Sequence, residues 1–545
     1  KRLYINDAVC EGCGDCSIQS NCLSVVPKET PLGRKRKIDQ SSCNKDYSCA
    51  KGFCPSFVTV LDGDLRKPKA AAESQQVFDP LPEPSLRDLD QPWNIVVAGV
   101  GGTGVLTITA LVAMAAHIEG RGCATMNQTG LAQKFGAVVS HVRVAPTQET
   151  IKAVRIPAGE ADLLVGCDLV VATTYEAMGK AAVGRSHAVI NDAEVPTAAF
   201  ILDPDAPFPT ESLKAKIRRE VGGDACNFLD STEIATRLLG DAIASNLFLL
   251  GYAWQQGLVP VSAAALERAI ELNGVAVDFN RQAFLWGRRY AHQPEKVLAA
   301  AGLAGERETG ESGESRESDK ADDSVDALIA DRVERLTAYQ DARYAQRYAD
   351  RLAAVRAADP RPEAADSVTR AVARALYKLM AYKDEYEVAR LYADPAFLAG
   401  LHEQFEGRLR LRFNLAPPLL ARRDPVTGHL RKREFGPWIL PAFRLLAKLR
   451  GLRGTPLDVF GYTAERRQER ADIADYLALL DEVMPRLAED NYPLVAELAA
   501  LPLKLRGFGH VKDRNRAQLA PRRERLLAQL RGGGASDPVT IVEAA

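Results

Sequence analysis

The segment WNIVVAGV opens a stretch, Asn94 to His117, with no acidic or basic side chain except the terminal histidine. Such a length can pass for a membrane-crossing helix. Gly99, Gly101, Gly102 and Gly104 interrupt it, so a buried strand, a glycine loop and a buried helix explain it better. Further along, CATMN, VSHVRV, LVVATTY and SHAVIND read as strands separated by helical stretches, an alternation that implies a parallel α/β sheet. DAIASNLFLLGYAWQQG, SAAALERAIELNG and DFNRQAFLWGRRYAHQ then carry apolar residues at helical spacing. Towards the C-terminus the pattern is helical almost throughout. Ile329, Val333 and Leu336, then Tyr344, Tyr348, Leu352 and Val355, then Val368, Val372, Leu376 and Leu379 form successive apolar stripes. No repeat of about 20 to 50 residues recurs, so a solenoid is excluded.

Composition divides this pattern into segments. Residues 1–62 hold seven of the ten cysteines, and residues 63–92 read as a proline-rich linker that follows the short strand FVTVL. Residues 93–295 form the α/β part, 296–325 an acidic linker, 326–531 a helical region and 532–545 a frayed tail. Within the acidic linker, 305–324 has almost no apolar content and is predicted disordered. The predicted protein is thus multidomain: a ferredoxin-like iron–sulfur segment, an α/β Rossmann-like domain with a parallel sheet, and an all-α C-terminal domain. Lys+Arg 70 against Asp+Glu 71 gives a formal charge of −1, which removes the electrostatic argument for nucleic-acid or acidic-membrane binding by the whole chain. With no signal peptide visible, the expected location is cytoplasmic. The chain starts at Lys1 and runs straight into cysteines, so an upstream portion is expected to be missing.

The cysteines read Cys10-x2-Cys13-x2-Cys16-x5-Cys22, then Cys43-x5-Cys49-x4-Cys54-Pro55. A tight C-x2-C-x2-C loop directs three thiolates at three irons of a 4Fe–4S cube, and the fourth ligand comes from a distant Cys followed by Pro. By that rule Cys10, Cys13, Cys16 and Cys54 hold one cluster. A zinc ribbon, which expects paired knuckles, and a disulfide framework, which expects a secretory context, stand as the alternatives. The second half departs from the ferredoxin spacing, because Cys43-x2-Asp46-x2-Cys49 puts a carboxylate where the middle thiolate belongs. With Cys22 crossing over, these residues would form a second cluster with one oxygen ligand, or else a degenerate site without metal. Cys123, Cys167 and Cys226 are scattered singly, as buried structural thiols are.

Gly99-x-Gly101-Gly102-x-Gly104 sits between a strand and a helix, the context of a dinucleotide fingerprint. The acidic residue expected after the second strand is absent: Asn127 and Gln128 stand there. Tight strand–helix packing, or contact with a cofactor held by another subunit, fits the loop better than NAD.

At this point the chain resembles a family. CEGCGDC, SSCNKDYSC and KGFCPSF look like the cysteine segment of single-chain indolepyruvate:ferredoxin oxidoreductases. GVGGTGV, NQTGLAQKFGAVVSHVR and ELNGVAVDFNRQAFLWGRR resemble the gamma domain of 2-oxoacid:ferredoxin oxidoreductases. LYKLMAYKDEYEVARLY, RDPVTGHLRKREFGPW, RGTPLDVFGYTAERR and RGFGHVKDRN are similar to the C-terminal extension of the fused enzymes. The resemblance implies oxidative decarboxylation of an aryl 2-oxoacid to its acyl-coenzyme A, with thiamine diphosphate and Mg²⁺, and with ferredoxin as acceptor and partner. It implies one or two 4Fe–4S clusters, and it places Gly101 to Gly104, Asn127, Gln128 and Ser140–Arg143 at a cofactor-facing interface, where a polar loop and strand end is the plainer reading. A homo-oligomer is expected.

Fused relatives carry two thiamine-binding domains ahead of the cysteine segment, whereas no Gly-Asp-Gly metal motif occurs in this sequence. The chain is therefore expected to be the electron-transfer, gamma and C-terminal portion of such an enzyme, not binding thiamine diphosphate alone. A self-standing electron-transfer or scaffold subunit is the alternative from another class, and an NAD-linked iron–sulfur dehydrogenase is a third. His402, His429 and His510 look isolated from metal-type partners, and Arg408–Arg433 reads as a solvated basic surface. Its functional alternative is docking of acidic ferredoxin by Arg431, Lys432 and Arg433.

Overall fold

In the computed structural model most of the cysteine segment packs in one unit with the C-terminal region. The structure describes residues 1–66, 78–87, 89–130, 136–195, 200, 201, 203–304, 324–417, 425 and 428–532. These form two units: one joins Lys1–Ile38 and Lys45–Asp64 to the described part of Arg316–Ala545, and the other joins Asp39–Asn44 to Leu65–Ser315. The strands of the cysteine segment are β1 (Arg2–Ile5), β2 (Val25–Lys28), β3 (Lys35–Ile38), β4 (Phe57–Leu61) and β5 (Asp64–Leu65). The middle of the chain holds β6 (Trp93–Val100), β7 (Gly122–Thr129), β8 (Ala137–Ala145), β9 (Leu163–Gly166), β10 (His187–Asn191) and β11 (Cys226–Leu229). The C-terminal region adds β12 (Phe405–Glu406), β13 (Arg410–Leu415) and β14 (Arg433–Phe435).

In the first unit β1 and β4 pair antiparallel, and β13 takes the other edge of β4 with Leu411 opposite Val60 and Phe413 opposite Val58. The sheet order is β1-β4-β13-β14, so the C-terminal region, expected to be all-α, supplies half of it. The signal was the alternation in RLRFNL: Leu411 and Phe413 are buried while Arg410 and Arg412 are exposed. Behind the sheet, Tyr392 packs on Phe397, Phe413 and Phe443 with ring centroids 5.1–5.4 Å apart. The helices Val325–Tyr339, Ala342–Ala358, Val368–Met380 and Ala464–Val483 each start at a Ser, Asp or Thr whose side chain accepts an amide of the first turn. Leu336, Tyr348, Leu352, Val355, Val368, Val372, Leu376 and Leu379 are buried as the stripes imply.

The second unit is built on a six-stranded sheet, β11-β10-β9-β6-β8-β7. It is mixed rather than parallel: β6, β9, β10 and β11 run parallel, but β8 is antiparallel to both β6 and β7. The uncharged run divides as expected into β6 and the helix Val105–Ile118. LVVATTY, however, is not a strand. The strand is LLVG just before it, and Leu169–Ala172 is a helical turn because the Asp168 carboxylate accepts the Val171 N–H at 2.8 Å. The helices Ser245–Gln255 and Val277–His292 cross at backbone contact. A Cβ on Gly251 would lie 2.1 Å from the Phe284 carbonyl oxygen, and one on Gly287 would lie 1.9 Å from that of Phe248.

Of the linker expected over 63–92, residues 67–77 lie outside the described residues, and so do 305–323 and the tail 533–545. The start of the expected 296–325 linker is helical instead, within Pro294–Ala300. Among the described residues no helix is long and apolar enough to cross a membrane.

Candidate functional site

The loop after β1 is shaped by Asn6, whose carbonyl accepts the N–H groups of Val9 and Cys10. Gly12 and Gly14 then adopt φ of 66° and 76°. At Gly12 no other residue fits, since a Cβ would sit 2.2 Å from the Arg34 carbonyl oxygen. This path turns Cys10, Cys13 and Cys16 inward, with Cys16 on the short helix Asp15–Ser20. The second loop is stitched alongside: Asp15 Oδ2 accepts the Phe53 N–H at 2.8 Å, and a Cβ on Gly52 would touch the Cys16 backbone at 3.1 Å. Cys54 thereby joins the first three. Cys10, Cys16 and Cys54 are buried and Cys13 is half-buried.

Three of these sulfurs accept backbone N–H groups two residues ahead. Gly12 N–H lies 3.3 Å from Cys10 Sγ, Asp15 N–H reaches Cys13 and Ser56 N–H reaches Cys54. The Ser56 hydroxyl adds a contact of 2.9 Å to Cys54 Sγ. Burial pushes the Cys13, Cys16 and Cys54 thiols up, and the neighbouring cysteines push them further. Such sulfurs ionise only against positive charge, which is how a bound metal group deprotonates its ligands. The donor chemistry and the N–H···S contacts fit an iron–sulfur cluster. Among the described residues, no three or more Cys, His, Asp or Glu side chains are set so that they could hold a metal ion as they stand.

Basic side chains surround this loop. Arg36 is fully buried; burial lowers its pKa while Cys16, Cys10 and Cys13 raise it. Lys383 pairs with Glu11 at 2.8 Å. Burial alone would raise the Glu11 pKa, but Lys383, Lys35 and Lys378 outweigh it and hold the carboxyl well below its ordinary range. Burial pushes Lys35 down to about 8. Lys432, read from sequence as part of a basic surface, is half-buried and donates to the Ala50 and Gly52 carbonyls between Cys49 and Cys54. Arg431 and Arg433 remain exposed. His429 and His510, expected to be isolated, stack with ring centroids 3.8 Å apart.

The second set is divided between the two units. Cys43 lies in Asp39–Asn44, which goes with the other unit. Asp46 Oδ1 accepts the Ser48 N–H at 3.0 Å and its hydroxyl at 2.8 Å. Cys22 is half-buried after the short helix, and Cys49 is buried in the turn Ser48–Lys51.

In the second unit the register brings the other candidate residues to one end of the sheet. Val100 faces Ala137, and Gln128 faces Val139, so Gly99–Gly104 and Asn127–Gln128 lie two strands apart at the same edge. The loop is tied down by Gly101 N–H to the Gly136 carbonyl at 2.7 Å and by Asn246 Nδ2 to the Thr103 carbonyl at 2.8 Å. Gly99 serves packing, since a Cβ there would meet Cys167 Cβ at 2.7 Å. Asp168 was missed from sequence because no motif marks it. Its buried carboxylate accepts the Val100 N–H at 2.8 Å, and burial raises its pKa against the backbone N–H groups that lower it. Of Ser140–Arg143, Ser140 and His141 are buried, and Arg143 Nε donates to Asn94 Oδ1 at 2.9 Å. The neighbours of β6 are β9 and the antiparallel β8, which is not the parallel arrangement of a dinucleotide fold.

His141 Nδ1 accepts the Ile156 N–H at 3.3 Å, which leaves Nε2–H to face Gln128 Oε1 at 3.4 Å. Burial, with Lys180 and Arg155, holds its pKa down at about 4. The native state therefore keeps this imidazole neutral, while the unfolded chain takes up its proton near pH 6.5. Stability is full above pH 6.5 and falls as the pH drops towards 4. Tryptophan fluorescence reports mainly this unit, which holds Trp93, Trp254 and Trp286, while the fourth, Trp438, is in the other unit and exposed. The urea midpoint is expected to fall between pH 7 and pH 5, with a smaller fall in His141→Gln; equal falls would remove His141 as the cause.

Residues 94–290 match the pyruvate ferredoxin/flavodoxin oxidoreductase family, and residues 325–525 match a family of unknown function (DUF6537). Indolepyruvate oxidoreductase subunit IorB of Pyrococcus horikoshii is 29% identical over 204 residues, 37% of this chain and 96% of that subunit. The Archaeoglobus fulgidus subunit of the same name is 28% identical over 201 residues, 36% and 94% of the two chains. Among solved structures, the pyruvate oxidoreductase subunit PORC of Thermotoga maritima aligns at a TM-score of 0.27 with 19% identity, covering 36% of this chain and 96% of that one. The keto/oxoacid ferredoxin oxidoreductase gamma subunit of Geobacter sulfurreducens aligns at 0.25 with 21% identity, covering 38% and 99%.

Proposed function

We propose that the chain is the electron-transferring and gamma-type part of a 2-oxoacid:ferredoxin oxidoreductase, a reading supported by the family match over 94–290 and by the likeness to indolepyruvate oxidoreductase subunits. Its substrates would be aryl 2-oxoacids of the indolepyruvate kind, its acceptor ferredoxin. The observation that carries the electron-transfer reading is the gathering of Cys10, Cys13, Cys16 and Cys54 with amide N–H groups aimed at three of the sulfurs. A 4Fe–4S group bound there would accept and release one electron at a time. Cys10, Cys13, Cys16 and Cys54 would ligate it. Gly12, Asp15 and Ser56 would stabilise charge on the sulfurs through their N–H groups, and burial would exclude water. Asp46, Cys22, Cys43 and Cys49 are the candidates for a second cluster.

Carbanion chemistry belongs to thiamine diphosphate, and no Gly-Asp-Gly metal motif occurs in this sequence. We assign that step to a thiamine-binding portion, fused or separate. A separate partner is favoured by the relatives, which are named as subunits and are matched over 94–96% of their own length. The test is an anaerobic assay with indolepyruvate, coenzyme A, thiamine diphosphate, Mg²⁺ and a viologen dye. The purified chain is expected to bleach with a strong reductant and to leave the dye oxidised; adding the thiamine-binding portion should start dye reduction. Sustained dye reduction by the chain alone would place the catalytic centre within it.

A further inference from the structure

The region that matches a family of unknown function reaches into both cysteine loops of its unit. Lys383 Nζ donates to the Val9 and Cys10 carbonyls, each at 3.1 Å. Arg506 Nη1 approaches the Gly12 carbonyl at 3.5 Å. On the other loop Lys432 Nζ takes the Ala50 and Gly52 carbonyls, the Tyr392 hydroxyl donates to the Pro55 carbonyl at 2.5 Å, and Asn414 Nδ2 donates to that of Phe57 at 3.1 Å. Five side chains, drawn from separate helices, loops and strands, thus fasten the backbone on either side of the four cysteines.

Two of these donors differ in charge balance. Lys383 is offset by Glu11 at 2.8 Å. Lys432 spends its hydrogen bonds on neutral carbonyls and lies 5.5 Å from the Phe57 ring centroid; burial lowers its pKa, while Cys54, Asp15, Cys16 and Cys49 act to raise it. The Asp15 carboxylate is itself engaged by the Phe53 N–H, with Arg514 3.9 Å away. A cation held beside a redox group favours the reduced form, which carries one more negative charge, and the effect is strongest out of water.

We propose that the described residues of 325–525 form the housing of the iron–sulfur site, and that Lys432 is its positioning residue, holding the Cys49–Cys54 loop by two carbonyls and raising the cluster's reduction potential through its charge. This rests on the reading that Cys10, Cys13, Cys16 and Cys54 hold a cluster. It gives the matched family a task in this chain that does not depend on the substrate.

The test is an anaerobic redox titration followed by electron paramagnetic resonance on the whole chain, with Lys432→Gln and Lys432→Arg compared to the parent. Lys432→Gln keeps a neutral donor and loses the charge. It should hold the same iron and show, at a fixed potential, about a tenfold lower reduced-to-oxidised ratio, a midpoint lower by about 59 mV for one electron. Lys432→Arg should stay within about threefold of the parent. If Lys432→Gln loses iron, Lys432→Met in the same titration supplies the charge-free comparison. Loss of iron from both neutral variants with retention in Lys432→Arg also supports a charge requirement. Midpoints of the charge-free variants within about twofold of the parent overturn the proposal. A parent chain with no iron–sulfur signal overturns instead the cluster reading beneath it.

Discussion

Arg453→Ala is expected to destabilise the first unit by about 3–5 kcal/mol, the cost of breaking a buried ion pair by removing one partner. Arg453 and Asp384 are 3% and 4% exposed, and their contacts are bidentate at 2.6 and 2.8 Å. The guanidinium also donates to the Tyr339 carbonyl at 2.7 Å and stacks on that ring at 3.6 Å. Burial would lower its pKa, yet Tyr339 and Asp384 hold it charged. Asp384 in turn caps the helix Glu385–Ala393 through the Glu387 N–H at 2.8 Å. Removing Arg453 therefore strands a buried carboxylate at the start of the helix that carries Tyr392 to the Pro55 carbonyl. Hydrogen–deuterium exchange should show lost protection across 385–393 and 57–61. The exposed pair Arg522–Glu497 is the control, and Arg522→Ala should change protection little. Unchanged protection in Arg453→Ala would mean that the pair does not hold this helix.

Cys54→Ser is expected to remove most of the iron that the chain carries, whereas Cys22→Ser should leave about four irons, one cube. Hydroxyl oxygen is a poor substitute for thiolate at iron. Cys54 also ties the two loops together, since it lies between Gly52, packed on the Cys16 backbone, and Ser56, whose amide and hydroxyl both reach its sulfur. Cys22 makes no comparable link to the four. Loss of all iron in Cys22→Ser, or full retention of iron in Cys54→Ser, would show that the division between the cysteine sets is drawn in the wrong place.

Much of this was legible from residue patterns. The strand–glycine–helix reading of 94–117 and the helices around Leu249, Ala269 and Trp286 follow from long stretches whose period is unambiguous. Shorter apolar runs were not. LLVGCDLVVA holds two candidate strands, and only the Asp168 cap tells the strand from the helical turn. The antiparallel pairing of β7 with β8 hid because no Asn-Gly-type signal stands between them in the sequence, so an antiparallel pair was taken for part of a parallel sheet. The Cys10, Cys13, Cys16 and Cys54 set was visible from spacing alone. Its surroundings were not, because Lys383 and Lys432 come from more than 300 residues away along the chain. In a basic stretch such as LRKREF, an inward Lys cannot be told from an outward one until the sheet partner of the stretch is known. The Asp46 spacing pointed to a ligand, and the contacts of Asp46 Oδ1 with Ser48 in the same turn could not be read from it.

The most direct measurement is the content of iron, acid-labile sulfide and zinc in anaerobically purified chain, read with its paramagnetic resonance spectrum after reduction. The expected result is about four irons and four sulfides per chain in a reducible cluster, or about eight of each if the Cys22, Cys43, Asp46 and Cys49 set is also filled. About one zinc per chain, with no sulfide and no signal on reduction, would contradict it and make the cysteines a zinc site.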